Sequence, residues 1–292
     1  MSGISKECGR DPFKGTQVPD PSNVTSPITL VGYGRSGTSL IMHVLGDHPN
    51  VEICGETQSL IAGTWHAAER LKGIVRPDQT LADGADHRDR CAAAVRAAFL
   101  AMFPPNGRPR WMHKPIGIPW VFHTEKFSSL PFQDRCAWYW DVFGRCFPDA
   151  KVLTILRHPY DVVLSAERYW GTPHDRSWRG IVSMARLLDH TDSRVDHAVS
   201  FAEMASDPEA EITRLLTFAE LPDHAAPFAA AQAVYVPQMG QNRVPKARLT
   251  DLVGRRFSHR ARWRDIDQAT FTQDDRDIMS AMWQRFGFSL DL

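Results

Sequence analysis

Apolar positions along this chain follow two rhythms. Ile28-Thr29-Leu30-Val31 is a β-branched run of strand length. Lys151-Val152-Leu153-Thr154-Ile155-Leu156 is a continuous apolar run, which suits a strand covered on both faces in a parallel sheet. Val51-Glu52-Ile53-Cys54 and Val199-Ser200-Phe201 predict two shorter strands. Between them apolar residues recur at helical spacing: Leu40 to Leu45, residues 57–72, residues 87–103 with Val95, Phe99 and Met102, residues 133–147, the stretch following Asp161, and residues 274–286. Pro104-Pro105-Asn106-Gly107 stops one helix, and Asp207-Pro208-Glu209 opens another that runs through Leu215, Leu216 and Phe218. Trp111-Met112 leads into His113-Lys114-Pro115, where proline discourages helix. Strands alternating with helices predict an α/β fold with a mainly parallel central sheet flanked by helices. Residues 1–26, polar and broken by Pro12, Gly15, Pro19 and Pro21, read as a loosely ordered N-terminal arm, and residues 27–292 as one domain. Residues 238–259 are polar, basic and proline-broken, the mark of a long functional loop.

Charge narrows the partners. Lys+Arg 34 balances Asp+Glu 34, so there is no global basic field for nucleic acid or an anionic membrane. Any positive potential is local. Five scattered cysteines without a CxxC pair argue against a zinc site or a disulfide framework, and no metal is expected. Reduced thiols, with no stretch of membrane-span or signal-peptide length, lead to the expectation of a cytoplasmic protein.

The chemistry concentrates between the first strand and the first helix, in Gly32-Tyr33-Gly34-Arg35-Ser36-Gly37-Thr38-Ser39. A helix N-terminus offers unpaired N–H groups and the positive end of its dipole, so an anion is favoured there. Gly37 permits close backbone approach, Ser36, Thr38 and Ser39 add hydroxyl donors, and Arg35 adds a cation. A nucleoside-triphosphate loop has the Gly32–Gly37 spacing but requires a lysine where Thr38 stands. Gly32-x-Gly34-x-x-Gly37 also satisfies the dinucleotide fingerprint literally, with Glu52 and Glu56 near the place of its ribose-binding acid, which keeps an NAD(P)-dependent oxidoreductase as the alternative.

A third reading comes from resemblance. Gly34-Arg35-Ser36-Gly37-Thr38-Ser39-Leu40 resembles the loop with which sulfotransferases bind the 5′-phosphosulfate of 3′-phosphoadenosine 5′-phosphosulfate (PAPS). Arg157-His158-Pro159-Tyr160-Asp161-Val162-Val163-Leu164-Ser165 resembles that family's second signature, for the 3′-phosphate. The likeness extends through Asp47-His48-Pro49-Asn50-Val51, Gly55-Glu56-Thr57 and His113-Lys114-Pro115 to Arg262-Trp263, and is closest to bacterial members related to tyrosylprotein sulfotransferases. It implies a P-loop-like three-layer fold and metal-free, in-line sulfuryl transfer to a hydroxyl, with PAPS as co-substrate. The acceptor would be a small or lipid-linked alcohol.

In that reading Arg35 contacts the 5′-phosphate and the sulfuryl group. Arg157 and Ser165 converge on one phosphate, unless they only cap a helix. Lys114 neutralises the leaving oxygen, or is a plain surface lysine. Glu56 takes the acceptor's proton if partial burial tunes it, although a glutamate at a helix start also has a structural use. His113 is the competing base. Arg243, Lys246, Arg248, Arg255 and Arg256 would close over the donor or simply be solvated. Trp65, Trp111, Trp120, Trp138, Trp140 and Trp170 would line an acceptor pocket or pack the core. His43 and His48 are expected to be structural, and His158 a loop residue.

Overall fold

The computed structural model describes residues 26–71, 84–104, 107–115, 130–232, 260–266 and 271–292. The expected arm lies outside these residues, apart from Ser26, and so do residues 238–259 with their five cations and Trp120.

Among the described residues, five strands form one all-parallel sheet: β1 (Ile28–Leu30), β2 (Val51–Gly55), β3 (Arg110–His113), β4 (Lys151–Leu156) and β5 (His197–Ser200), in the order β2-β3-β1-β4-β5. Side chains alternate across the pleat and so build two cores. Ile28, Leu30, Met112, Leu153, Ile155 and Val199 face one side, against α1 (Thr38–Gly46) and α8 (Pro208–Phe218). Trp111, Val152 and Leu156 face the other. There they meet α2 (Gln58–Arg70), α3 (Gly84–Met102), α4 (Phe132–Cys146), α5 (Pro159–Trp170), α6 (His174–Leu188) and α10 (Gln273–Arg285). The result is three layers, as a parallel sheet with both faces covered demands.

Short helices α7 (Phe201–Ser206) and α9 (Ala225–Gln232) complete the first layer. Ser200, Asp207 and Thr272 cap α7, α8 and α10 by accepting from the N–H of Glu203, Ala210 and Asp275, each cap worth about 1 kcal/mol.

The expected parallel sheet is there, parallel in every described pairing. Two details differ. Phe201 starts α7 instead of ending the last strand, because the Ser200 hydroxyl caps a helix at that point. β3 has no apolar alternation to announce it, and is held by pairing on both sides with β2 and β1. No described helix is long and apolar enough to cross a membrane.

Candidate functional site

Arg35, Glu56, Lys114 and Arg157 each follow the C-terminal end of a strand, the edge where ligands of open α/β sheets collect. The β1–α1 loop turns through two left-handed residues, Arg35 at φ 70° and Gly37 at φ 113°. Gly37 has no room for a side chain, since a Cβ there would lie 2.7 Å from the Phe201 ring and 2.8 Å from Ile155. Ser36 is buried, and its hydroxyl donates to the Tyr33 carbonyl at 2.6 Å, tying the loop to itself. Thr38 is buried as well, whereas Ser39 faces outward. No side chain caps α1.

Arg35 and Arg157 leave different strands and meet. Arg157, just past β4, donates from Nη1 to the Arg35 carbonyl at 3.0 Å, and its guanidinium lies 4.8 Å from the Phe201 ring centre. Burial, chiefly, pushes the Arg157 pKa down to about 10; nearby Asp161 opposes this and the like charge of Arg35 adds to it. Arg35 donates from Nε to the Ser165 hydroxyl at 3.3 Å and stacks 4.0 Å from the Tyr169 ring centre. Its pKa is also lowered by burial. Two partly desolvated cations that repel each other around a glycine turn make a site in want of an anion. Asp161 itself accepts from the Trp263 indole at 2.8 Å, which docks the Arg260–Asp265 3-10 turn onto α5.

The second half of the site comes from β2 and β3. The Lys114 Nζ, nearly buried, lies 3.1 Å from a Glu56 carboxylate oxygen and donates to the Ser39 hydroxyl at 3.3 Å. Lys114 thus ties the β1–α1 loop to Glu56. Glu56 is 53% exposed, so the partial burial expected for it is not what this structure gives.

His113 lies elsewhere. It is fully buried among Phe99, Phe143 and Phe147. The Thr29 and Thr57 hydroxyls occupy its two ring nitrogens at 2.7 Å each, and burial drops its pKa to about 3. It is a neutral cross-link between β1, β3 and the start of α2. His48 likewise bridges the Pro222 carbonyl and the Asn50 N–H, and His158 caps α5.

The tryptophans divide. Trp65, Trp111 and Trp140 are core residues with at most 2% exposure, the second of the two readings left open for them. Trp138 lines a cleft beside α2. Trp170 is 46% exposed and covers Gly34 so closely that a Cβ there would fall 2.4 Å from its ring. It therefore belongs to the loop. Sequence reading missed Tyr169, although Ser165 and Tyr169 stand four apart on one helix face, the spacing that brings both to Arg35.

The dinucleotide alternative fails on topology. Its ribose acid must end the strand beside β1, but β3 lies between β1 and β2, and Glu52 is 3.5 Å from Arg108.

A family profile described as Sulfotransferase family matches residues 27–225. The chain is 25% identical over 167 residues to nodulation protein NoeE of Sinorhizobium fredii, spanning 52% of this chain and 34% of that protein. Among solved structures, the sulfotransferase domain of the Synechococcus PCC 7002 olefin synthase superposes with a TM-score of 0.52 at 17% identity, covering 95% of this chain and 100% of that one. A sulfotransferase from Alicyclobacillus acidocaldarius gives a TM-score of 0.49 at 16% identity, with 91% and 98% coverage.

Proposed function

Since the chain belongs to the sulfotransferase family, we propose that it transfers a sulfuryl group from PAPS to a hydroxyl acceptor by in-line displacement. One observation carries this reading: Arg157 reaches the backbone of Arg35 at 3.0 Å, so anion-binding elements from β1 and β4 share one place. The residues fit the donor, which has about four negative charges at pH 7. Arg157 and Ser165 hold its 3′-phosphate, while Arg35, Gly37, Thr38 and Ser39 hold the 5′-phosphosulfate, the loop supplying backbone N–H groups and hydroxyls. Ser36 shapes the loop through its bond to Tyr33.

The donor supplies an activated sulfuryl group. Its bond to the phosphate oxygen breaks as a bond to the acceptor oxygen forms. Glu56, exposed beside the loop, takes the proton of the acceptor hydroxyl, the role its counterpart has in the tyrosylprotein branch that the sequence resembles. Lys114 and Arg35 stabilise the electron pair left on the departing phosphate oxygen. Lys114 lies between Glu56 and Ser39, and so keeps base and leaving-group stabiliser in register. His113, buried and held between two threonine hydroxyls, stays out of the proton transfer.

Titration with adenosine 3′,5′-bisphosphate and a donor-dependent transfer assay test the reading. Arg35→Ala should lose nucleotide binding. Glu56→Gln should bind the nucleotide and lose turnover by about 100-fold or more. Binding of NAD(P) in place of the bisphosphate, or an active Glu56→Gln with the proton carried elsewhere, would overturn it.

A further inference from the structure

Resting on the sulfuryl-transfer reading, we propose that Tyr33 and Gly180 are positioning residues for the donor. The tyrosine ring seats in a hole that the glycine leaves on α6, and this joint sets the pose of the β1–α1 loop. Gly180 lies in the interior of α6, where alanine would be the better helix former. The helix itself therefore gives no reason for a glycine. The packing does. A Cβ built there would fall 2.5 Å from Tyr33 Cε2 and 3.0 Å from both Cζ and Oη. Carbon atoms in contact stand about 3.5 Å apart, so any larger residue would push the ring back by about 1 Å. Ser177, three residues earlier on the same helix face, is wholly buried beside the phenol. Burial pushes the Tyr33 pKa up, and the Ser177 hydroxyl and the Arg176 charge oppose part of that rise.

The backbone carries the joint to the site. Tyr33 is the first residue of the turn Tyr33-Gly34-Arg35-Ser36, whose third residue is the left-handed Arg35. The Tyr33 carbonyl accepts from the Ser36 N–H at 3.4 Å and from the Ser36 hydroxyl at 2.6 Å. Arg35 in its turn offers its carbonyl to Arg157 at 3.0 Å and donates from Nε to Ser165 at 3.3 Å. The Trp170 indole of α5 covers Gly34, so the consecutive helices α5 and α6 both hold the turn. A ring displaced by about 1 Å thus shifts the turn on which both guanidinium groups depend, and a grip on an anion is sensitive to misplacement on that scale.

The test is calorimetric titration of the full chain with adenosine 3′,5′-bisphosphate, with thermal unfolding alongside. Were Gly180 only a helix residue, Gly180→Ala would keep or raise Tm and leave affinity unchanged. The joint instead predicts a Tm within about 3 °C of wild type and a Kd raised about tenfold or more. Tyr33→Ala, which removes the knob, should weaken the bisphosphate to a similar extent. In that background Gly180→Ala should change Kd by less than about twofold, because the clash has gone. If Gly180→Ala alone does not fold, the paired variant should fold, and Tyr33→Leu replaces Tyr33→Ala if the latter fails. A Kd within about twofold of wild type in folded Gly180→Ala, losses that simply add in the paired variant, or a paired variant no better folded than Gly180→Ala alone would each overturn the joint. A wild-type chain that does not bind the bisphosphate would instead overturn the transfer reading.

Discussion

Arg157→Met should make the ligand-free protein more stable while removing its capacity for the donor. Arg157 is 9% exposed, and its pKa falls to about 10, mainly through burial. Keeping that guanidinium charged in the fold therefore costs about 3 kcal/mol. The sign is that of a base with a depressed folded pKa. The cost is present in full below pH 10 and fades above it, so it does not vary between pH 6 and 9. Methionine fills similar volume without charge. It forfeits the charge-assisted bond to the Arg35 carbonyl, worth about 2 kcal/mol. The net gain is about 1 kcal/mol, or about 2 °C in Tm for a domain of this size. Adenosine 3′,5′-bisphosphate at 100 times its Kd should add about 2.7 kcal/mol to wild type and almost nothing to the variant. Thermal unfolding with and without the nucleotide reads both quantities. A Tm below wild type, together with intact nucleotide protection, would refute the reasoning and make Arg157 a structural tie.

Two further substitutions probe the frame around the site. His113 has a folded pKa near 3 against an ordinary 6.5, so the stability it confers is whole above pH 6.5 and drains away as pH falls toward 3. His113→Gln should flatten the decline of Tm between pH 6.5 and 4 and keep nucleotide binding and turnover; a folded, nucleotide-binding but inactive variant would move the base to His113. Gly37→Ala forces a side chain into φ 113° and against Phe201 and Ile155. It should cost about 2 kcal/mol or more and abolish nucleotide binding, and unchanged Tm and affinity would show that the turn is not what shapes the site.

The two anion elements were legible because each follows a strand with a strong local signal: β-branched residues before Gly32, an apolar run before Arg157. Their encounter was not legible. It depends on β1 and β4 pairing in register, Leu30 opposite Leu153, a contact far apart in sequence. β3 was hidden for a related reason: its four residues, Arg110 to His113, owe their conformation to neighbours on both sides. The core and the site compete for the same residue types, and burial alone separates them. Trp111 and Trp140 went inward, Trp138 and Trp170 to the rim. His113 shows the same ambiguity, because a histidine beside a lysine suggests acid–base chemistry until two threonines and three phenylalanines are seen around it.

The strand order also divides labour across the molecule. Glu56 and Lys114 follow β2 and β3, Arg157 and Ser165 lie beyond β4, and the glycine turn follows β1 at the seam. Lys114 bridges that seam, bonding Ser39 on one side and Glu56 on the other, so a change at this one lysine is felt on both flanks at once.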